Sequence, residues 1–539
     1  MAIQTAYGMN ERMEGANIMG KFLTAREAAA KIPDGATIGV AGMGLSGWPE
    51  EVAQEIANHF RETGHPCGLN IKQGSTMGDW HERGITRLGV EGLISKWSAA
   101  HIGSAFALCG LASANKIQCH CLPQGVIVNL WREIAAHRPG LITRVGLGTF
   151  VDPRVEGGRM NECTKENVAE LIEFQGEEYL FYKSFPLDVA LLRGTTADED
   201  GNITFDKESV INEGLAVAQA AKNSGGIVIV QVEYAAKRGT LHPKSVKIPG
   251  ILVDYVVVAT KKEASWQTEG VYYEPSFNGE IKIPVEMIPK LPLTERKIIA
   301  RRCAMELCKG NIVNLGVGMA SDVANIVAEE GYSDVITLTG EAGAVGGVPA
   351  SLPNFGSSYN PQAIIEHGAM FDLIDGGGID VTCLGLGQAD KYGNINVSKF
   401  GKRLIGPGGL INITCSAKKV IFCGTFMDKA KIEIIDGKIK VAEEGIRKKF
   451  LDQVEQITFA GKYKKPEQKV LYVTERCVFE LIDGAMTILE IAPGIDLKED
   501  ILLHMDFVPN VSPELKIMDS AIFQQSWNGL GSTILKERE

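Results

Sequence analysis

In the stretch VITLTGEAGAVGGVP, residues 335–349, a short β-branched run delivers one glutamate, Glu341, into a loop made almost entirely of Gly and Ala. No Lys, Arg or His in that stretch could neutralise it. A carboxylate so placed can act as a nucleophile, forming a covalent acyl intermediate that divides one hard step into two easier ones. Flanking glycines would let a bulky electrophile and its leaving group come close. An exposed glutamate on a flexible loop would have the same local sequence, so other segments must decide.

Three segments carry complementary chemistry. LPQGVIVNLWREI puts Gln124 in a turn before a helix, where a neutral amide could orient a carbonyl or a carboxylate. RVGLGTFVDPR, residues 144–154, is a second glycine-rich loop. FGKRLIGPGGLINIT joins two cations, Lys402 and Arg403, to Gly406-Pro407-Gly408-Gly409. Backbone N–H groups of a Gly-Gly pair can form an oxyanion hole, and neighbouring cations can meet a phosphate. Each of these alone is also an ordinary turn or a solvated charge.

The elements that must position these residues are written twice. LTAREAAAKIPDGATIGVAGMG, from Leu23, predicts a helix opened by a Thr24/Glu27 capping box, a Pro-Asp-Gly stop and a buried strand ending in glycines. LTERKIIARRCAMELCKGNIVNLGVGMA, from Leu293, repeats that order. TTADEDGNITF (195–205) matches GQADKYGNINV (387–397) in register, and both predict tight hairpins. Apolar strands alternate with amphipathic helices in each half, which predicts parallel sheets covered by helices. Between the halves, Pro275, Pro284, Pro289 and Pro292 disfavour regular structure and suit a linker. The expected architecture is therefore α/β: two related open domains in tandem, 1–288 and 289–539, the second carrying Glu341. Loops from strand carboxyl ends would converge in a cleft between them.

GMGLSG, Gly42 to Gly47, is a literal GxGxxG between a strand and a helix. The acidic residue that should bind a ribose hydroxyl about 20 residues on is absent: the next strand, GLNIKQGST, ends in Gln73 and Gly74. Glycines serving a tight turn are the better reading.

In order and spacing these motifs resemble a family I CoA-transferase, of the branch containing propionate CoA-transferase and related short-chain acyl-CoA:acetate transferases. The glutamate loop EAGAVGG is the most specific element; GMGLSGWPE, LPQG, GLGTFVDPR, NLGVGMA, DKYGNINVS, GPGG and the closing VTERCVFEL with LEIAPGID extend the likeness over nearly the whole chain. The resemblance implies a ping-pong exchange in which Glu341 forms first an acyl anhydride and then a CoA thioester. It implies an oxyanion hole at Gly408 and Gly409, and an acyl pocket lined by Gln124 and Asn314. Gly343 and Gly346 are expected to border the same pocket, and Lys402 and Arg403 to meet CoA phosphates. The substrates implied are acyl-CoA and short acids such as acetate, propionate, butyrate, lactate or acrylate, with neither a metal nor a permanently bound cofactor. A homo-oligomer, dimer or tetramer, is implied too.

Bulk properties narrow the field. A length of 539 residues exceeds one core, and a net charge of -11 argues against nucleic acid or an anionic membrane as partner. Eleven cysteines without a CxxC pair suggest reduced thiols in the cytoplasm. The start lacks a secretory layout, and no apolar run approaches a membrane span. Two other readings stay open: an acyl-CoA hydrolase using the same glutamate, and a non-catalytic acyl-CoA-binding regulator.

Overall fold

The structure, a computed structural model, describes residues 21–75, 77–284 and 290–537. The expected boundary at residue 288, with Pro289, lies outside the described residues. Among those described, no helix is long and apolar enough to cross a membrane.

Two large sheets organise the chain. The first has seven strands in the order Tyr255–Val258, Ile227–Val232, Val189–Arg193, Thr37–Val40, Leu69–Gln73, Ile94–Ala99, Gln118–Cys121. Every neighbouring pair in it is parallel. Strands such as Val189–Arg193 are buried along their whole length, as a sheet covered by helices on both faces requires. The second sheet has ten strands and a parallel centre in the order Thr337–Thr339, Ile312–Leu315, Val381–Gly385, Lys419–Cys423, Lys469–Val473.

The duplication seen in the sequence is a duplication of topology. In each sheet the first strand of its half (Thr37–Val40 or Ile312–Leu315) pairs with the second on one side. On the other side later strands follow in chain order, three in the first sheet and six in the second. The matched turn sequences occupy matched places: strands Thr196–Asp198 and Ile203–Thr204 form an antiparallel hairpin just after Val189–Arg193. Strands Gln388–Asp390 and Ile395–Asn396 do the same just after Val381–Gly385. The Thr24/Glu27 capping box is present, with Glu27 N–H donating to Thr24 Oγ1 at 3.2 Å.

The second sheet departs from the parallel expectation at its far edge, where Lys469–Val473, Cys477–Ile482 and Ala485–Ile491 run antiparallel. The cause is local. Asp483 and Gly484 both take positive φ, 50° and 76°, the conformation of a two-residue hairpin turn whose twist matches its strands.

GMGLSG closes on itself: Met43 N–H donates to Ser46 O at 3.0 Å and Ser46 N–H to Met43 O at 2.9 Å. Gly42 has φ +132°, and a Cβ there would collide with the Ser46 carbonyl, so the glycine serves the turn. GLGTFVDPR does not reach the cleft described below. It clasps the other half of the chain, with Phe150 N–H donating to Ile457 O at 2.7 Å, while buried Asp152 pairs with Arg154 at 2.8 Å.

Candidate active site

A cavity of about 290 Å³ opens where the carboxyl ends of both sets of parallel strands meet. Met43 and Gly44 follow the strand Thr37–Val40, His101 follows Ile94–Ala99, and Gln124 follows Gln118–Cys121. From the second half, Gly316 follows Ile312–Leu315, Glu341 follows Thr337–Thr339, and Gly385 ends Val381–Gly385. Parallel strands entering from one side place their following loops, and so the reactive groups, at one end of the sheet. Most of the remaining wall is apolar, with Trp80, Leu352, Phe355, Leu384 and Ile405.

Glu341 sits in a tight turn rather than an open loop. Gly340 N–H donates to Ala344 O at 2.8 Å and Gly343 N–H to Gly340 O at 3.0 Å, so the strands on either side close as a hairpin. Only part of the residue reaches solvent, through the cavity, and its carboxyl is enclosed. Burial pushes that carboxyl from its ordinary 4.5 up to about 7, and the neighbouring His367 opposes the shift. Asn314, buried on the strand beside it, lines the cavity and donates from Nδ2 to Thr339 O at 3.3 Å, tying down the strand that presents Glu341.

Gly408 and Gly409 both line the cavity but differ in what they can offer. The Gly408 N–H already donates to Ala100 O at 3.0 Å. The Gly409 N–H takes no part in the backbone network among the described residues. A Cβ at Gly409 would collide with Glu341 Oε2; the carboxylate lies against that α-carbon, and only glycine leaves room. Of the two amides expected to form an oxyanion hole, that of Gly408 is thus engaged, and that of Gly409 has no backbone acceptor among the described residues.

Gln124 is the first residue of the helix Gln124–Ala135 rather than part of the turn before it, with Pro123 capping. Proline at that cap costs nothing, since the first N–H groups of a helix have no internal partner. The side chain is wholly buried, and its Oε1 has no hydrogen-bond partner among the described residues.

Four expected site residues are not brought to the cavity. Gly343 and Gly346 have φ +115° and +72°, and side chains there would meet the Ile365 carbonyl and Gln362. They shape the turn and its backing strand and do not line this cavity. Lys402 and Arg403 are exposed on the hairpin of Lys399–Phe400 with Arg403–Leu404. Arg403 nevertheless lies close enough to His101 to act on it. Burial, then Arg403, lowers the imidazole to about 4, so His101 is a neutral wall residue, with Nδ1 unpartnered.

Other residues in and behind the wall were not singled out by the sequence. Glu269 lines the cavity beside Gly44, and burial, then repulsion from Asp79, raises its carboxyl to about 8 against the pull of Arg83. It is a neutral acid at pH 7, suited to an apolar wall. Glu213 and His367 lie behind Gln124, each at the start of a helix and next to a glycine, a faint signal at best.

For metals, Cys119-His120-Cys121 is an ordinary strand. Both cysteines point into the core, and His120 Nε2 lies 2.9 Å from the Glu166 carbonyl oxygen. Among the described residues, Asp34, His65 and Cys67 bring ligand atoms within 4.8 Å of one another. They sit by the amino ends of Thr37–Val40 and Leu69–Gln73, at the opposite edge of the sheet from the cavity.

The chain is similar to known proteins over nearly its full length. It is 68% identical over 524 residues to caffeate CoA-transferase of Acetobacterium woodii, covering 96% of this chain and 100% of that protein. It is 42% identical to acetate CoA-transferase YdiF of Escherichia coli O157:H7, covering 93% and 94%. The crystal structure of that bacterium's acyl-CoA transferase YdiF, as a thioester complex with CoA, superposes with TM-score 0.90 at 40% identity, covering 97% and 99%. The profile of the coenzyme A transferase family matches residues 22–259. With strands, cavity and likeness in agreement, the chain belongs to the coenzyme A transferase family, enzymes that exchange CoA between an acyl thioester and a carboxylate.

Proposed function

We propose that Glu341 is the nucleophile of this transfer. The observation that carries the reading is its placement: an enclosed carboxyl, delivered by a strand end to the floor of an apolar cavity, against a glycine that leaves space for nothing else. Ionised Glu341 attacks the thioester carbonyl, and the C–S bond breaks to give an acyl-glutamyl anhydride and CoA thiolate. The thiolate then attacks the glutamyl carbonyl, releasing the first carboxylate and leaving a glutamyl-CoA thioester. A second carboxylate attacks that thioester and the two steps run in reverse. Gly409 N–H donates to the oxygen that gains charge at each tetrahedral stage. The apolar wall excludes water, which holds back hydrolysis of the anhydride and thioester. Binding energy from the remote nucleotide of CoA is realised at the reacting carbon. Eleven unpaired cysteines fit a reducing compartment, the cytoplasm.

The acid is read at two sizes. Short acids such as acetate and propionate suit the small residues around Glu341, and the YdiF relative is named for acetate. The aromatic and aliphatic wall of Trp80, Phe355, Met43 and Leu352, with the neutral carboxyl of Glu269 among them, also suits a planar aryl acid that carries hydroxyls. The relative at 68% identity is named for such an acid.

Mass spectrometry of the peptide holding Glu341, after incubation with acetyl-CoA, tests the reading. A CoA-sized adduct on Glu341 is expected, discharged by propionate or by caffeate, the faster acceptor fixing the size class. Absence of the adduct with acetyl-CoA intact would remove the nucleophile. Acetyl-CoA consumed with no acceptor present would make the protein a hydrolase.

A further inference from the structure

Three polar side chains that sequence separates by up to 243 positions form one chain of contacts behind Glu341. His367 Nδ1 lies 2.8 Å from Glu213 Oε2, and His367 Nε2 lies 2.9 Å from Gln124 Nε2. The relative exposures of Glu213, His367 and Gln124 are 3%, 1% and 0%, so water does not compete for these bonds. Gln124 and Glu213 come from the first half of the chain and His367 from the second.

The partners fix the protons. A carboxylate only accepts, so Nδ1 of His367 donates to Glu213. The amide nitrogen only donates, so Nε2 accepts. His367 therefore holds its proton on Nδ1, and one amide hydrogen of Gln124 is committed to it. What the carboxamide has left is Oε1 and its second hydrogen. Among the described residues Oε1 is unpartnered; it lies close to Gly408 and on the cavity wall. A buried carbonyl oxygen left without a donor costs about 1–3 kcal/mol. The other oxygen of Glu213 is also bare, and faces Gly74 so closely that a Cβ there would meet it at 2.6 Å. A buried carboxylate with a single hydrogen-bonding partner, and an amide with an open acceptor, are expensive features that packing alone does not explain.

We propose that Glu213 and His367 are positioning residues for Gln124. Glu213 sets the imidazole tautomer, and the imidazole clamps one edge of the carboxamide. The opposite edge, one acceptor and one donor, is thereby held toward the acyl carbon that reacts beside Glu341. Without the clamp the amide is free to turn end for end, and half of its orientations present the wrong atom. The device recognises the carboxyl or acyl end of the substrate and leaves the nucleotide end of CoA untouched. It rests on the reading of this cavity as the acyl site.

A double-mutant cycle of Gln124→Ala with His367→Asn tests it, using acetyl-CoA as donor and propionate as acceptor. The shorter Asn can still reach Glu213 but not Gln124. Each single variant is expected to lower kcat/KM for propionate about tenfold to a hundredfold, the range of one such hydrogen bond, with KM for acetyl-CoA little changed. The double variant should be no worse than the worse single, since His367 acts only through Gln124. Losses that multiply, or a His367→Asn variant at the wild-type rate, would overturn the proposal. If His367→Asn does not fold, Glu213→Gln enters the same cycle. The parent reading is tested separately by the wild-type adduct on Glu341: an adduct with multiplying losses sinks the clamp alone, and no adduct sinks the nucleophile.

Discussion

At the scale of single residues, the reactivity proposed for this site depends on how far Glu341 is withdrawn from water. A carboxyl held near 7 is half protonated at neutral pH, and only the ionised form attacks a thioester. The profile of kcat/KM for acyl-CoA should therefore fall on the acid side with a midpoint near 7 instead of near the ordinary 4.5. Stability carries the opposite sign. Between those two values the folded chain keeps a proton that the unfolded chain has lost, so the fold loses stability as pH rises through 7. Glu341→Gln, which cannot ionise, should be more stable than the wild type at pH 8 by about 1–3 kcal/mol. The gain should shrink toward nothing at pH 4.5, while transfer is abolished throughout. Thermal melts at the two pH values check the sign, and equal differences at both would show the carboxyl is not strained by burial. Glu341 was legible because its surroundings in sequence are so bare. Gly343 and Gly346, by contrast, lie off the cavity lining. A glycine needed for positive φ and a glycine needed for substrate approach look the same in a sequence, and only the positions of Ile365 and Gln362 separate them.

Secondary-structure elements decide which of these residues meet. Gln124, His367 and Glu213 each stand at the start of a helix, and the helices Gln124–Ala135 and His367–Asp375 pack together across the two halves. That packing depends on Gly125. A Cβ there would press on the Phe371 ring and on Asn412 Nδ2, whose partner Oδ1 accepts the Gly125 N–H at 3.0 Å. Gly125→Ala is helix-compatible, so propensity alone would make it stabilising. Overpacking instead should cost about 1–3 kcal/mol and should shift Gln124 away from His367. Denaturant melts would read the first effect and kcat/KM for the acceptor acid the second. A stabilised variant would show that the helices separate without penalty. Strands, hairpins and the capping box were legible because they are written in local patterns of period and turn residue. The helix pair was not. The contact from His367 to Gln124 spans 243 positions and leaves no periodicity behind.

For the whole molecule, the repeated topology points to a chain made of two similar bodies whose joint face holds the candidate site. Each half carries its own large sheet, and the two main buried clusters follow the halves, the first reaching across at Leu404 and Ile411. One is centred on Ile38, Ile71 and Trp97, another on Val313, Cys383 and Ile421. The contacts between halves combine that helix pair and the Phe150–Ile457 clasp with backbone bonds at the cleft, such as Ile102 N–H to Ile405 O at 2.7 Å. Neither half holds a complete site, since Gln124, His101 and Met43 belong to one and Glu341, Asn314 and Gly409 to the other. The covalent join should then matter for local concentration rather than for structure. Cutting the chain between residues 288 and 289 and producing both pieces together should give a complex that purifies as one species and transfers CoA. Each piece alone should be inactive. Dilution should lower the activity of the cut protein and not of the intact one, because only the former must associate. Pieces that do not bind each other would mean that the proline-rich segment holds the cleft in register. Transfer by the second piece alone would mean that Gln124, and with it the clamp behind it, has no part in the reaction.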